Sequence, residues 1–225
     1  DADRLGVIDD KAEFLHPNKI LVLLYYYLMR YRGWRGAAVR NLATTHLLDR
    51  IAEDFGETCY EVPVGFKYVS AKMVETGAII GGESSGGLTV RGHIQGKDGI
   101  YAAALLVEAI AKTGRRLSAL WDEITQKYGA AEMAEHDFHF SSAERTRIFK
   151  LLMEDKQLPE FPCEIAKVSY MDGCKVYFKN GGWVIARFSG TEPLLRVMVE
   201  APDDALCRAC VDEVVSVIKQ SGHAL

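Results

Sequence analysis

The 225-residue sequence has no excess of basic residues: 27 Lys and Arg stand against 31 Asp and Glu, a net charge of −4. Nucleic-acid backbones are bound through clustered cations, so a dedicated nucleic-acid binder is disfavoured. Local clusters, not net charge, decide whether a small anion binds, and that option stays open. Long apolar runs are missing too. The longest covers residues 20–29; it is too short to span a bilayer and reads as a buried helix. No membrane partner is expected, and no secretory signal is visible. Cysteine is scarce and scattered, with five residues: Cys59, Cys163, Cys174, Cys207 and Cys210. An odd count at such spacings argues against a disulfide framework and for a reducing, cytoplasmic setting. Cys207 and Cys210 form a C-x-x-C, but no second pair or histidine pair accompanies them. They lie in a stretch of helical periodicity, so helix packing is expected rather than metal or redox chemistry. The chain does not begin with Met; it opens Asp-Ala-Asp-Arg and reads as a fragment or a processed product. Repeats and low-complexity tracts are also absent.

What is present is ordinary for a globular protein: 48% hydrophobic, 26% charged and 10% aromatic residues, over a length that suits one or two domains. Strands are expected over residues 4–8, 37–41, 58–62 and 79–80. Helices are expected over 18–32, 44–55, 65–76, 99–113 and 117–129. Strands alternating with helices of this length imply βαβ units and a mixed, largely parallel sheet. The pattern then changes. Residues 132–141 read as a linker or an edge strand, and 142–153 as a helix with Ser142 near its N-cap. Strands follow over 164–171, 174–179, 183–188 and 194–200. Asp172-Gly173 and Asn180-Gly181-Gly182 are hairpin turns between them. A last helix covers 203–220. This second part is an α+β domain with a four-stranded antiparallel sheet, and the boundary is placed near residue 135.

Three segments carry chemistry. Gly81-Gly82-Glu83-Ser84-Ser85-Gly86-Gly87 allows backbone to approach a ligand. Glu83 and Ser85, two apart in an extended loop, would point the same way and suit vicinal sugar hydroxyls. The alternative is a flexible connector. Arg187-Phe188-Ser189-Gly190-Thr191-Glu192-Pro193 joins two strands, with Arg196 close behind. Its arginines, its hydroxyls and a glycine that lets N–H groups converge fit a phosphate monoester. The alternative is a hairpin with surface arginines. Asp1-Ala2-Asp3-Arg4 offers alternating carboxylates of the kind that ligate Mg²⁺, or else a solvated terminus. Lys97 precedes a helix and could approach the Glu83 loop. Lys67, in Gly65-Phe66-Lys67, sits at a strand-to-helix turn, where ligands gather in α/β folds. His93, His136 and His139 read as structural or surface residues, and Tyr25-Tyr26-Tyr27 as helix packing.

In this order the motifs resemble the α-D-phosphohexomutase family, the phosphoglucomutases and phosphomannomutases. The family's metal loop Asp-Gly-Asp-x-Asp-Arg is similar to Asp1-Ala2-Asp3-Arg4, without its first aspartate. Its sugar loop Gly-Glu-x-Ser-Gly is matched by residues 82–86, and its phosphate loop Arg-x-Ser-Gly-Thr-Glu-Pro by 187–193. Lys-Asp-Gly at Lys97 and Gly-x-Lys at Lys67 also look like family features. Gly86-Gly87 departs from the Gly-His of many relatives.

The resemblance implies three segments. Residues 1–14 would end the family's domain 2, 15–135 would be the sugar-binding domain 3, and 136–225 the phosphate-binding domain 4. It implies Mg²⁺ held in part by Asp1 and Asp3, with Arg4 facing a phosphoserine. Glu83 and Ser85 would hold the sugar, and Arg187, Ser189, Gly190, Thr191 and Arg196 the phosphate that is not reacting. Lys97 and Lys67 would serve proton transfer or phosphate contact. Hexose 1-phosphate and 6-phosphate would interconvert through a hexose 1,6-bisphosphate, glucose being the first expectation and mannose or glucosamine phosphate the alternatives. The serine itself lies in a Thr-Ala-Ser-His-Asn-Pro-like loop that these 225 residues do not contain. The chain alone is therefore expected to be inactive and to need the missing N-terminal domains. A stand-alone sugar-phosphate binding module is the competing reading.

Overall fold

The computed structural model describes residues 1–190 and 192–220. They form two compact units that divide between Gly129 and Ala130.

The first unit opens with a short hairpin, β1 (Val7–Ile8) and β2 (Phe14–Leu15), in which Ile8 stands opposite Phe14. Asp9 Oδ1 accepts from the Lys11 and Glu13 N–H groups and ties the turn. Only the end of the strand expected over 4–8 pairs, and β2 is too short to leave a periodic signal. Helix α1 (Pro17–Arg30) follows. His16 Nδ1 accepts from the Asn18 N–H, and Pro17 sits where no helical donor is needed. Every side chain from Ile20 to Met29 is buried, so the helix is packed all round rather than amphipathic. The three tyrosines pack inside it as expected, and their hydroxyls reach acceptors. Tyr25 donates to Gly36 O (3.2 Å), Tyr26 to Glu123 Oε1 (2.7 Å) and Tyr27 to Glu108 Oε1 (2.5 Å). Burial and the Glu108 carboxylate push the Tyr27 phenol up to about 12.

Then come β3 (Ala38–Asn41), α2 (Leu47–Asp54), β4 (Cys59–Val62), α3 (Phe66–Thr76), β5 (Ile80–Gly82), β6 (Leu88–Val90), α4 (Gly99–Thr113) and α5 (Leu117–Tyr128). The sheet order is β4-β3-β5-β6. β3 runs parallel to β4 and β5, and β6 antiparallel to β5. This is the mixed, largely parallel sheet the sequence implies. The three-residue β6 was not expected, being too short for alternation to show.

The sheet is pressed between helices. A Cβ on Gly81 would lie 2.6 Å from Val69 Cγ1 of α3, and one on Gly82 would lie 2.8 Å from Leu21 Cδ1 of α1. These two glycines therefore answer to packing on opposite faces. Arg40 is buried in the central strand. Its guanidinium donates twice to Asp49 (2.6 and 2.9 Å) and once to Glu61 (2.6 Å). Burial opposes the charge, but the carboxylates outweigh it and raise the group's pKa further. The hairpin is fixed to this body by Asp10, whose carboxylate accepts from Ser118 N (3.2 Å) and Ser118 Oγ (2.8 Å) at the start of α5. Residues 1–14 thus pack within the first unit.

The second unit runs β7 (Glu132–His139), α6 (Ser142–Phe149), a π-helical turn over Lys150–Glu154, β8 (Ile165–Ser169), β9 (Cys174–Phe178), β10 (Trp183–Phe188), β11 (Leu194–Ala201) and α7 (Asp204–Gln220). Its antiparallel sheet has the order β7-β11-β10-β9-β8. The four successive strands are present, and β7 adds a fifth at the edge. The boundary therefore falls ahead of β7 rather than near residue 135. β7 pairs with β11 along its whole length, from Glu132 opposite Ala201 to His139 opposite Leu194. Ser142 opens α6 next to the N-cap, which is Ser141, and a capping box with Glu144 satisfies the backbone donors of both Ser141 and Glu144. Cys207 and Cys210 of α7 are buried with Val176, Val184, Val197 and Ile148 in one core. Burial pushes their thiols up to about 11 and about 12, so they pack the helix as expected. Among the described residues, no helix is long and apolar enough to cross a membrane.

Candidate functional site

In the first unit the chemistry-bearing loops meet where the parallel strands β3, β4 and β5 end, the usual ligand edge of an α/β sheet. Glu83 follows β5 directly and is buried. Its Oε1 accepts from Asn41 Nδ2 (3.1 Å), at the end of β3, and from the Gly65 N–H (3.2 Å), just ahead of α3. Oε2 accepts no hydrogen bond among the described residues. One carboxylate oxygen is thus anchored to two neighbouring loops, and the other is left for a donor. Asn41 is set in turn: its Oδ1 accepts from Thr44 Oγ1 (2.8 Å) and the Ala43 N–H (2.9 Å). Thr44 Oγ1 also accepts from the Ser84 N–H (3.1 Å).

Residues 83–87 form a tight turn rather than an extended loop. Glu83 N donates to Gly87 O (2.9 Å), and Gly86 N to Glu83 O (3.0 Å). Gly86 has φ +97°, where a side chain is strained. The expected alternation of Glu83 and Ser85 therefore does not hold. Glu83 turns inward, while Ser85 is exposed at the tip, because the hairpin to β6 reverses the chain between them.

Lys97 reaches this loop, as expected. A Cβ on Gly87 would overlap the Lys97 stem, whose Cγ would stand 2.8 Å away. The ammonium continues to Asp3 Oδ2, 2.5 Å off. That hydrogen bond holds the Asp3 carboxyl below its ordinary range. The terminus is fixed behind it: Gly99 N donates to Ala2 O (3.0 Å), and a side chain at Gly99 would strike the Arg4 carbonyl. Arg4 is 62% exposed, with Nε 3.9 Å from Asp3 Oδ1. Asp1 is exposed. Among the described residues, no three His, Cys, Asp or Glu side chains gather to hold a metal ion. Mg²⁺ demands a near-octahedral oxygen set. Asp1 and a lysine-paired Asp3 do not supply one by themselves. Lys67 is exposed on the first turn of α3, its Nζ 4.9 Å from the Tyr68 ring centre. His93 is structural: Nε2 lies 2.8 Å from Asp98 Oδ2, and the ring stacks on Tyr101 at 4.0 Å. His136 and His139 are exposed on β7.

In the second unit, Arg187 on β10 stands opposite Arg196 on β11. The two are held differently. Arg196 is committed to a bidentate pair with Asp137 on β7, both bonds 2.8 Å, with Glu135 Oε1 also 2.8 Å from Nε. The Asp137 bond raises the pKa of Arg196 and lowers that of Asp137. Arg187 has Nε 3.0 Å from Asp172 Oδ2, and its terminal nitrogens make no hydrogen bond among the described residues. Ser189 Oγ accepts from the Glu192 N–H (3.2 Å). Gly190 does not have the positive φ of a nest, and a Cβ there would meet nothing within 4 Å. Thr191 lies outside the described residues.

The sequence reading missed Asn41, Thr44, Asp172 and Asp137. A polar Asn-Leu-Ala-Thr-Thr run at the end of a central parallel strand was the available signal for the first two. The cross-strand aspartates leave none without a register.

Two family models match the chain. Residues 16–128 match the α/β/α domain III of phosphoglucomutase/phosphomannomutase, and residues 149–217 match the C-terminal domain of the same family. The chain belongs to the α-D-phosphohexomutase family. It corresponds to the C-terminal portion of such a mutase. A phosphoglucomutase/phosphomannomutase of Thermococcus kodakarensis is 31% identical over 98% of this chain and 46% of its own length. A phosphoglucosamine mutase of Rubrobacter xylanophilus is 29% identical over 99% of this chain and 46% of its own. A crystal structure of a phosphomannomutase-like protein from Thermus thermophilus superposes with a TM-score of 0.78 at 32% identity, over 97% of this chain and 44% of that one. The chain thus spans about half the length of the curated relatives it matches. An Aspergillus fumigatus N-acetylphosphoglucosamine mutase, solved with GlcNAc-6P and magnesium, shares the fold at 17% identity, with a TM-score of 0.60 over 100% of this chain and 51% of that one.

Proposed function

We propose that these residues are the sugar- and phosphate-binding part of an enzyme that interconverts hexose 1-phosphate and hexose 6-phosphate. Glu83 carries the reading. A buried carboxylate with one oxygen fixed by Asn41 and Gly65 and the other unbonded is a preset acceptor for a sugar hydroxyl. Ser85 at the loop tip is the second sugar contact. Arg187, Ser189, Gly190 and Thr191 take the phosphate that is not reacting. Arg196, tied to Asp137, shapes that site more than it touches the ligand.

Lys97 sits at the sugar loop, where it contacts a phosphate or moves a proton; Lys67 is the second candidate for that task. Phosphoryl transfer itself needs a phosphoserine outside these residues. The serine would give its group to the bound hexose phosphate and recover the other phosphate after the bisphosphate turns over. Arg4 would face that serine. Mg²⁺ would neutralise charge on the moving group, and Asp1 and Asp3 would contribute to its site only together with ligands from beyond these residues.

Residues 1–14 fit the end of a preceding domain. Ile8 (62% exposed) and Phe14 (59% exposed) face each other across a hairpin too small to bury them. Glucose phosphates are the first expectation; the names of the relatives keep mannose and glucosamine phosphates beside them.

The test is a titration of the ¹⁵N-labelled chain with glucose, mannose and glucosamine 6-phosphates, with free glucose as control. Shifts are expected at Asn41, Gly65, Glu83 and Gly190, without turnover of glucose 1-phosphate. No response to any hexose phosphate sinks the reading. The competing reading is a sugar-phosphate binding module without catalysis. That competitor gains if the encoded protein has no serine loop upstream.

A further inference from the structure

The carboxylate paired with Arg187 lies outside the three chemistry-bearing segments. Asp172 belongs to the Asp172-Gly173 turn between β8 and β9. This turn is pressed onto the backbone of β10. A Cβ on Gly173 would stand 2.6 Å from Ala186 O and 3.1 Å from Arg187 Cα, and φ there is +92°. Only glycine fits, so the turn is held at one height against Arg187. From that position Asp172 Oδ2 forms an ion pair with Arg187 Nε at 3.0 Å; the Nε atom is buried, and the contact is not aligned as a hydrogen bond. The other long side of the same row is closed as well, because Arg196 opposite Arg187 is drawn the other way by Asp137. Two like charges on neighbouring strands are thus pulled apart by two outer carboxylates. A guanidinium offers its donors in a rigid plane. A negative charge held at the Nε edge therefore favours the orientation in which the two terminal nitrogens point away from it.

We propose that Asp172 is a positioning residue for the phosphate site: its charge at the Nε edge of Arg187 orients the guanidinium so that the terminal nitrogens face a phosphate monoester at Ser189 and Gly190. The proposal rests on the phosphate reading of the Arg187 loop. An aspartate in this place adds negative charge near an anion site, so electrostatics alone would have it weaken binding. Orientation predicts the opposite sign, and the sign is measurable.

The 225-residue chain, ¹⁵N-labelled, is compared as wild type, Asp172→Ala and Asp172→Asn, with glucose 6-phosphate as the probe. Asn keeps an acceptor oxygen and the turn preference of the Asn-Gly pair, so it guards against simple misfolding. The Arg187 Nε–H cross-peak, assigned by its loss in Arg187→Lys, is expected to shift in Asp172→Ala and return most of the way in Asp172→Asn. The Kd is expected to rise about tenfold in Asp172→Ala and less than about threefold in Asp172→Asn. Unchanged or tighter binding in Asp172→Ala overturns the proposal. So does an unmoved cross-peak. If Arg187→Lys weakens binding while neither Asp172 variant does, the phosphate reading stands and the positioning role falls. If the wild type binds no hexose phosphate, both fall.

Discussion

Gly87 is bare where the Lys97 side chain crosses it: a Cβ there would stand 2.8 Å from Lys97 Cγ and overlap the next carbon of the stem. The glycine therefore works as a track that lets the ammonium reach Asp3. Gly87→Ala should push the lysine aside without unfolding the chain. A flexible stem yields easily, so the stability loss should sit near the low end of the ~1–3 kcal/mol usual for overpacking. Hexose-phosphate affinity should fall about tenfold. Thermal unfolding and titration together check this. Full affinity in Gly87→Ala would remove Lys97 from the ligand site.

Glu83 separates two effects that one substitution usually confounds. Glu83→Ala leaves Asn41 Nδ2 and the Gly65 N–H without their acceptor, which should cost about 1–3 kcal/mol of stability as well as binding. Glu83→Gln can keep the anchored oxygen and replace only the outward one. It should unfold near the wild-type temperature yet bind sugar phosphate about tenfold or more weakly. Equal loss of stability in both variants would mean that the outward oxygen is structural.

Asp137 makes the β7–β11 pair sensitive to acid. Its bond to Arg196 lowers its pKa in the folded chain. A depressed carboxylate contributes stability above its unfolded pKa, about 4, and loses it as pH falls through the lower folded value. Asp137→Asn should therefore be less stable than wild type at neutral pH, by roughly 1 kcal/mol for so exposed a pair. The two should converge as pH drops below about 4. Urea unfolding at several pH values reads the difference, and a gap that stays constant with pH would show that packing, not charge, is lost.

Arg40 should tolerate no truncation. Arg40→Ala removes the buried cation that Asp49 and Glu61 share, and breaking such a network costs up to about 3–5 kcal/mol. Arg40→Met, similar in length but uncharged, supplies no cation to these carboxylates and should recover little. Denaturant midpoints check both. A loss under about 1 kcal/mol would mean that the carboxylates find water or another partner.

The sequence made the layout legible where periods are long. Helix α1 announces itself by a continuous apolar run, α2 to α5 and α7 by apolar spacing, and β8 to β11 by turn residues such as Asp172-Gly173. Short elements carry no period, so β2 and β6 escaped. The site was legible in its residue types and not in its geometry. Glu83 is named by a glycine-rich motif, but that its carboxylate is anchored by Asn41, 42 positions earlier, follows only from the parallel pairing of β3 with β5. Arg196 was a second candidate behind Arg187, and only the register shows that Asp137 stands beside it. Gly81 and Gly82 looked like ligand contacts, yet their lack of side chains answers to Val69 and Leu21.

The strand that opens the second unit is zipped to the strand that closes its sheet: Glu132 pairs with Ala201 and His139 with Leu194. During synthesis β7 leaves the ribosome first and waits, its edge unsatisfied, until β11 has emerged. Strands β8 to β11 pair in sequence order, one upon the next, but β7 can dock only on the last of them, so its pairing edge stays open through that interval.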